Sequence, residues 1–503
     1  MDEETKSQEP LPRDAPKGRR GVVYVVAGCY QRARRPERGH MEVLSRRVPY
    51  WFLVASLLAF ASFQIWMNPF GFSDLVQRYS QDVADLLITG PYFYGSEGRD
   101  QVSVAIIDED TLHTLQAPWP WKYGDHARAL DALLQFHPKA VVVDILFVDS
   151  RPDDTLPDLV AEIGRYKKAH VPLYFEGGTD LPFGEHPLRP EIAATGVPVL
   201  DPTLPVNNGV ARQYSATGRC FGRKPDDDGT CPSLALHVFK DVYPQMPLEK
   251  LNGMMELVWG TRTAPENHSI TRTNDDGTQV SCVGDEMSLA RRWYLAFFDT
   301  SAVKTPCPYT AEFPVSALQT HPDDPDVVKM ATNRVIFYGG ALQGAQDKIY
   351  TPVNDLLPGV FVHAMAMDNL ITFRGRPQQN VVSVGGRALD GNLLQILAVV
   401  PVILILSWFH LRTLRRKREE ARHERSATFE YFLEKVVEKI WHYLAFGLAL
   451  GVGLLLTLAS GLSVANWVEV VFVSTELGAL LLVGAPDSFW GYLHHIAGGD
   501  PQA

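Results

Sequence analysis

The sequence predicts an α/β fold, a parallel-rich sheet flanked by helices in an extracytoplasmic domain, together with four transmembrane α-helices. Residues Val102 to Ser150 supply the first observation, reading in order as a β-branched run, an amphipathic segment and a second β-branched run. Neither run alternates with polar residues, so each is expected to be buried on both faces, as parallel strands beneath helices are. The second observation is four apolar segments nearly free of charge: Tyr50 to Trp66, Leu393 to Leu411, Tyr443 to Leu462 and Val464 to Val483. Each is close to the roughly 20 residues that cross a bilayer. The third is where the basic residues fall. Arg46 and Arg47 precede the first segment, and Arg412, Arg415, Arg416, Lys417 and Arg418 follow the second, so both flanks belong on the cytoplasmic side.

In chain order, residues 1–48 read as a basic cytoplasmic tail of disordered composition, rich in charge, Pro and Gly. Val26-Ala27-Gly28-Cys29 mimics a lipoprotein processing box, but the apolar run before it barely reaches the roughly 7 residues of a signal core. Processing there would also invert the first span. Met41 is an alternative start. Residues 49–67 form the first span, with Trp51 and Trp66 as interfacial anchors. Residues 68–390 form the external domain.

Within that domain, Phe72 to Ile88 predicts a helix leading in from the membrane, with Leu75, Val83, Leu86 and Leu87 on one side. Val102 to Asp108 predicts the first strand, and Ala127, Leu130, Leu133 and Leu134 mark the helix after it. A second β-branched run ends at Asp144. Pro152 to Tyr166 predicts another helix, opened by Asp153, Asp154 and Thr155, and Val171 to Phe175 a third strand. From Glu176 to Thr310 the chain is dense in Gly, Pro, Asp and Asn and predicts only hairpins and the helix Ser233 to Val238. Regular structure returns with a strand at Val335 to Tyr338, followed by Gly339-Gly340, and a helix at Gly359 to Thr372. The second span, 391–411, leads to a cytoplasmic insert, 412–441. There Phe429, Phe432, Leu433, Val436, Val437 and Ile440 stand at amphipathic spacing, either lying on the inner leaflet or a partner, or continuing the second span. Spans at 442–462 and 463–483 and a cytoplasmic tail, 484–503, complete the chain.

The 503 residues carry a net charge of −11, which argues against nucleic acid as a partner. Of five cysteines, Cys220, Cys231, Cys282 and Cys307 fall in the external domain, where oxidation is permitted, and Cys29 lies in the tail. The pairing expected is Cys220 with Cys231, around the hydrophilic loop GRKPDDDGT, and Cys282 with Cys307. The other two connectivities of four cysteines stay open. No Cys-x-x-Cys spacing marks a metal site, and Gly339-Gly340 lacks the spacing and the Lys-Ser/Thr of a phosphate loop. The sequence therefore assigns no catalytic residue, metal or cofactor.

Several stretches resemble the CHASE type 2 domain, an extracytoplasmic sensory module of bacterial receptors. They are Asp108, Trp119-Pro120-Trp121, His126-Ala127 and Asp144-Ile145-Leu146-Phe147, then Asn208-Gly209-Val210-Ala211-Arg212 and Pro232-Ser233-Leu234-Ala235-Leu236. Phe313-Pro314-Val315-Ser316-Ala317, Val335 to Ala341, and Pro358-Gly359-Val360 with His363-Ala364 and Asp368-Asn369-Leu370 follow in the family's order. The family resembled has one span before its domain and three after it, the layout read above from charge. It usually continues into a cyclase, kinase or diguanylate cyclase domain, and none is expected in the residues after Val483.

Ligands of open α/β sheets sit beyond the carboxyl ends of the strands, here Asp108-Glu109-Asp110, Asp144, Glu176 and Gly339-Gly340. A ligand group of Asp108, Trp119, Trp121, His126 and Asp144 is the candidate: acids for a divalent cation or basic ligand, indoles for stacking. The competing reading has Asp108 and Asp144 binding loop amides, the two Trp capping a core, and His126 and His363 packing. In the fourth span, Glu469 and Glu476 share one helix face, and Glu476 is expected to meet another helix or a partner subunit. The function expected is a bacterial inner-membrane sensory or scaffold subunit with both termini cytoplasmic. Its periplasmic domain would bind a ligand or partner and signal to a separate effector as part of a homo- or hetero-oligomer. The alternatives are a structural subunit of a multi-protein envelope complex, and an external hydrolase using Asp108 and Asp144.

Overall fold

The computed structural model describes residues 50–67, then 81–390 apart from 84, 149, 179–187, 206–208, 227–228, 252, 274–278, 283–287, 299–302, 343–346, 355, 380 and 385–386, and beyond 390 only 400, 404, 408 and 412. The chain divides into two units, residues 1–60 with 477–503 and residues 61–476, and the second holds the folded domain. Helix α1 (Tyr50–Met67) occupies the first predicted span and carries no charged residue. At 1.5 Å per residue its 18 residues make about 27 Å, short of the roughly 30 Å of hydrocarbon. Among the described residues no helix is long and apolar enough to cross a membrane. The other three predicted spans, apart from single positions, lie outside the described residues, as do the insert 412–441 beyond its first residue, Glu469, Glu476 and both tails.

The domain is built on β1 (Val102–Ile107), α2 (Glu109–Leu115), α3 (Tyr123–Gln135), β2 (Ala140–Asp144), α4 (Leu156–Ala169), β3 (Leu173–Glu176) and β4 (Val199–Leu200). It continues with α5 (Leu234–Val242), β5 (Ala311–Pro314), α6 (Pro325–Ala331), β6 (Val335–Gly340) and α7 (Val360–Thr372). The six strands form one parallel sheet in the order β5-β1-β6-β2-β3-β4. Four crossovers, β1 to β2, β2 to β3, β3 to β4 and β5 to β6, step in the same direction across it, and the long connection from β4 to β5 returns the other way. Crossovers are right-handed, so the helices of those four must lie on one face. They do: α3, α4, Ile192 and α6 share one core with Ala105, Ile107, Val141, Val143, Ile336 and Tyr338. The opposite face, with Val102, Val104, Val142, Val335 and Phe337, is covered by α5, which lies in the returning β4 to β5 connection, and by α7, which follows the last strand. Burial on both faces is why these strands lack polar alternation.

Three boundaries differ from expectation for local reasons. The predicted helix from Pro152 starts instead at Leu156, because Asp153 and Thr155 are engaged elsewhere. Asp153 Oδ2 accepts from Tyr123 N (2.7 Å) and Thr155 Oγ1 from Gly124 N (2.8 Å), so this loop caps α3. The predicted helix to Ile88 has a π-helical described part, Asp85–Phe93, that runs past it and encloses Pro91. Proline has no N–H to give an α-helical ladder. Strand β6 extends beyond Tyr338 to Gly340 because it is bonded on both sides, Gly339 lying opposite Asp144 and Gly340 opposite Ile107.

From 176 to 310 the described residues form short hairpins, among them Gln213–Ser215 with Met254–Glu256, and three helices the sequence left unread, Pro190–Ala193, Pro265–Ser269 and Leu289–Phe298. Both cysteine pairs stand as expected: Cys220 with Cys231 and Cys282 with Cys307, Cα atoms 5.2 and 5.5 Å apart. Cys282 and Cys307 are both buried and close a 25-residue separation. Opening that loop by Cys282→Ala with Cys307→Ala should lower unfolding stability by about 3 kcal/mol through the added freedom of the unfolded chain. Urea denaturation of the double variant, with no reductant, measures it.

Candidate functional site

The sheet topology gathers acids at its carboxyl edge. Asp144 ends β2, Glu176 ends β3, Asp201 directly follows β4, and Asp347 precedes the hairpin Lys348–Tyr350 with Leu356–Pro358. Glu176 is pushed well above the ordinary carboxylate range, first by lost hydration, then by the charge of Asp144 and a hydrogen bond to it. Glu176 is therefore the member of the pair that favours its neutral form. Asp347 is pushed up to about 6, first by lost hydration and then by Asp144, although water reaching this exposed residue screens both effects. Asp201 is tied locally, one oxygen accepting from Thr203 N (2.9 Å) and the other from Arg219 N (2.5 Å).

Beneath these acids lies His363 of α7, fully buried and hydrogen-bonded through Nδ1 to Tyr214 Oη (2.7 Å). Tyr214 Oη also accepts from Ala235 N (3.3 Å). Burial lowers the His363 pKa against the pull of Asp144 and Asp201, which keeps the ring neutral. Two of the acids at this edge, Glu176 and Asp347, are thus raised toward the neutral form beside a neutral histidine. Among the described residues no group of three or more His, Cys, Asp or Glu could hold a metal ion.

The five predicted ligand residues part into three places. Asp108 is the N-cap of α2, its Oδ1 accepting from Thr111 N at 2.8 Å. Asp108→Ala should thus cost about 1 kcal/mol in a thermal melt, the worth of a cap. Trp119, Trp121 and His126 do come together, with ring centroids 6.3 and 5.5 Å from the imidazole, joined by Phe147 at 5.0 Å and Tyr338 at 6.0 Å. Trp121 is buried and donates Nε1–H to Ala117 O, whereas Trp119 is 41 % exposed. His126 bonds Tyr338 Oη through Nδ1 (2.8 Å), and burial lowers its pKa to about 3, so it is a neutral core residue. Asp144 joins the acid cluster instead. β6 stands between the strands carrying Asp108 and Asp144, which keeps those two strands about 10 Å apart at ordinary strand spacing.

Asp201 and Tyr214 were not read from the sequence. For Asp201 a signal exists: Val197-Pro198-Val199-Leu200 is a short β run ending in an acid, as before Asp108 and Asp144. Three further buried acids lie toward the other end of α7 and on the chain leading into the domain. Asp368 is pushed up to about 7 by burial, Glu256 to about 7 by burial, and Asp85 well above its ordinary value by burial.

The family model described as CHASE2 domain matches residues 51–405, from within α1 through the whole six-stranded domain. No curated protein and no solved structure matches the chain.

Proposed function

We propose a function from one premise, that this chain belongs to the CHASE2 domain family, a family of sensory domains. The chain acts as a subunit of the bacterial inner membrane whose periplasmic domain receives a signal and passes it to a separate effector protein. Four spans, at 49–67, 391–411, 442–462 and 463–483, hold the domain outside and both termini inside. Glu476, and Glu469 nearer the outer interface, face a partner helix of the membrane assembly.

One observation carries this reading: the family match covers 51–405, so it includes the apolar helix before the domain as well as the domain itself. Two further features support it. The two cysteine pairs stand at disulfide distance, which suits an oxidising compartment. The basic residues flank the apolar segments on the side expected for the cytoplasm.

A membrane-impermeant amine reagent tests it. Applied to cells with a permeabilised outer membrane and an intact inner one, it should label the exposed Lys329 and Lys348. Lys417 in the insert should react only after lysis. Protection of Lys329 and Lys348 until lysis would overturn the outward-facing placement. Affinity purification from native membrane should then bring down the effector as a co-purifying protein.

A further inference from the structure

Two arms of the chain meet at Glu256. The incoming arm follows α1 and reaches the domain at Gln81, Asp82 and Asp85; the outgoing arm leaves α7 and runs through Gln378 toward Asp390. Asp82 is held by Arg212 through two bonds of 2.8 Å, and Gln81 Nε2 donates to Arg212 O at 3.2 Å. Glu256 touches both arms. Its backbone N–H donates to Gln378 O at 2.9 Å, and its carboxyl is hydrogen-bonded to the side chain of Gln81 and accepts from Gln213 Nε2 at 2.8 Å. The residue is 2 % exposed.

We infer that Glu256 is a proton-operated junction, fastening the incoming and outgoing arms to one point of the domain while its carboxyl is neutral and releasing them when it ionises. Burial moves its titration up to about 7, into the range where the pH outside a cell varies. The charged and titratable groups facing this junction are Asp82 and Asp85 on the incoming arm and Arg212 on the hairpin beside it. Arg212 is already committed to Asp82. Asp85 is itself buried, its Oδ2 has no hydrogen-bond partner, and it lies close enough to Glu256 for each charge to oppose the other. The amide bonds from Gln81 and Gln213 favour the charged form but do not offset its lost hydration, so an ionised Glu256 is better solvated with the arms loosened. A carboxyl raised by folding binds its proton more tightly in the closed state, so closure is favoured at low pH and lost as pH rises through about 7.

Hydrogen exchange on the full chain in lipid nanodiscs measures the closure. After correction for intrinsic exchange rates, protection at 81–83 and 376–379 should fall about tenfold from pH 6 to pH 8. Glu256→Gln keeps the amide-sized shape and should hold that protection within twofold across the range. Asp368→Asn, on a different acid, should leave the step in place. An unchanged step in Glu256→Gln, or flat protection in the native chain, would overturn the junction. Should the variant fail to fold, a carbon NMR titration of Glu256 in the native chain decides instead, since a midpoint near the ordinary glutamate value of about 4.3 overturns it equally. The inference rests on the proposed function only for what the arms connect to. A pH step found in a chain whose domain proves unreachable from outside would leave the junction standing and the outward placement fallen.

Discussion

Asp368→Asn should abolish about 4 kcal/mol of pH-dependent destabilisation that the native domain suffers between pH 4 and pH 8. Asp368 is fully buried in α7, and burial pushes its carboxyl up to about 7. Tyr94 Oη donates to its Oδ1 at 2.5 Å and Thr372 Oγ1 at 3.1 Å, while Oδ2 has no hydrogen-bond partner. Two donors on one oxygen do not offset the loss of hydration around a whole carboxylate. The unfolded chain ionises near the ordinary aspartate value of about 3.9, so above that pH folding must hold on to a proton or bury a charge. Stability from this group is fully present below that value and is lost as pH rises through about 7. Asparagine keeps an oxygen for Tyr94 and Thr372 and cannot ionise. Urea denaturation at pH 5 and pH 8 should show a smaller difference in the variant than in the native protein. Equal differences would mean that Asp368 is ionised in the folded state, or reached by water.

Much of the sheet was legible because burial on two faces leaves a local mark. Val141, Val142 and Val143 announce a central strand without reference to anything distant, and Asp144 marks its carboxyl end. The helix α3 was legible for a similar reason, since its buried positions recur at helical spacing, whereas α7 is buried all round from Val360 to Ile371. Strand order leaves no such mark. That β6 enters between β1 and β2 depends on residues almost 200 positions away, and this insertion is what separates Asp108 from Asp144. The site was correspondingly half legible. Asp144 and Glu176 stood at strand ends, but their partners arrive from a two-residue strand and from the segment before a hairpin, where no periodicity exists to read. Trp121 and His126 clustered as their proximity in sequence suggested, yet the partner that holds the imidazole, Tyr338, is 212 residues on. The junction at Glu256 was invisible for the same reason, being assembled from Gln81, Arg212, Gln213 and Gln378.

Arg334→Met should cost about 3–5 kcal/mol, because it strands a buried carboxylate. Arg334 immediately precedes β6 with only 4 % of its surface exposed, and its Nη2 donates to Glu266 Oε1 at 2.9 Å. Its Nη1 reaches Ser103 Oγ on β1 at 3.3 Å and Arg99 O at 3.4 Å. Glu266 lies in the short helix Pro265–Ser269, where the adjacent Asn267 accepts from Glu312 N of β5 and donates to Thr310 O. The ion pair therefore ties the start of β6, across β1, to the short helix that secures the edge strand β5. Burial alone would raise the Glu266 carboxyl, but a backbone bond, Lys329 and Arg334 together hold it below the ordinary glutamate range. Remove Arg334 and only Lys329 remains as a cationic partner, 60 % exposed and screened by water. Replacing both members changes the sign of the problem, since two apolar residues of similar size leave no charge behind. Arg334→Met with Glu266→Met should accordingly be more stable than Arg334→Met alone. Parity of the double variant with that single variant, or a single-variant cost under about 1 kcal/mol, would mean that water reaches Glu266 and that β5 is secured by its strand bonds to β1 alone.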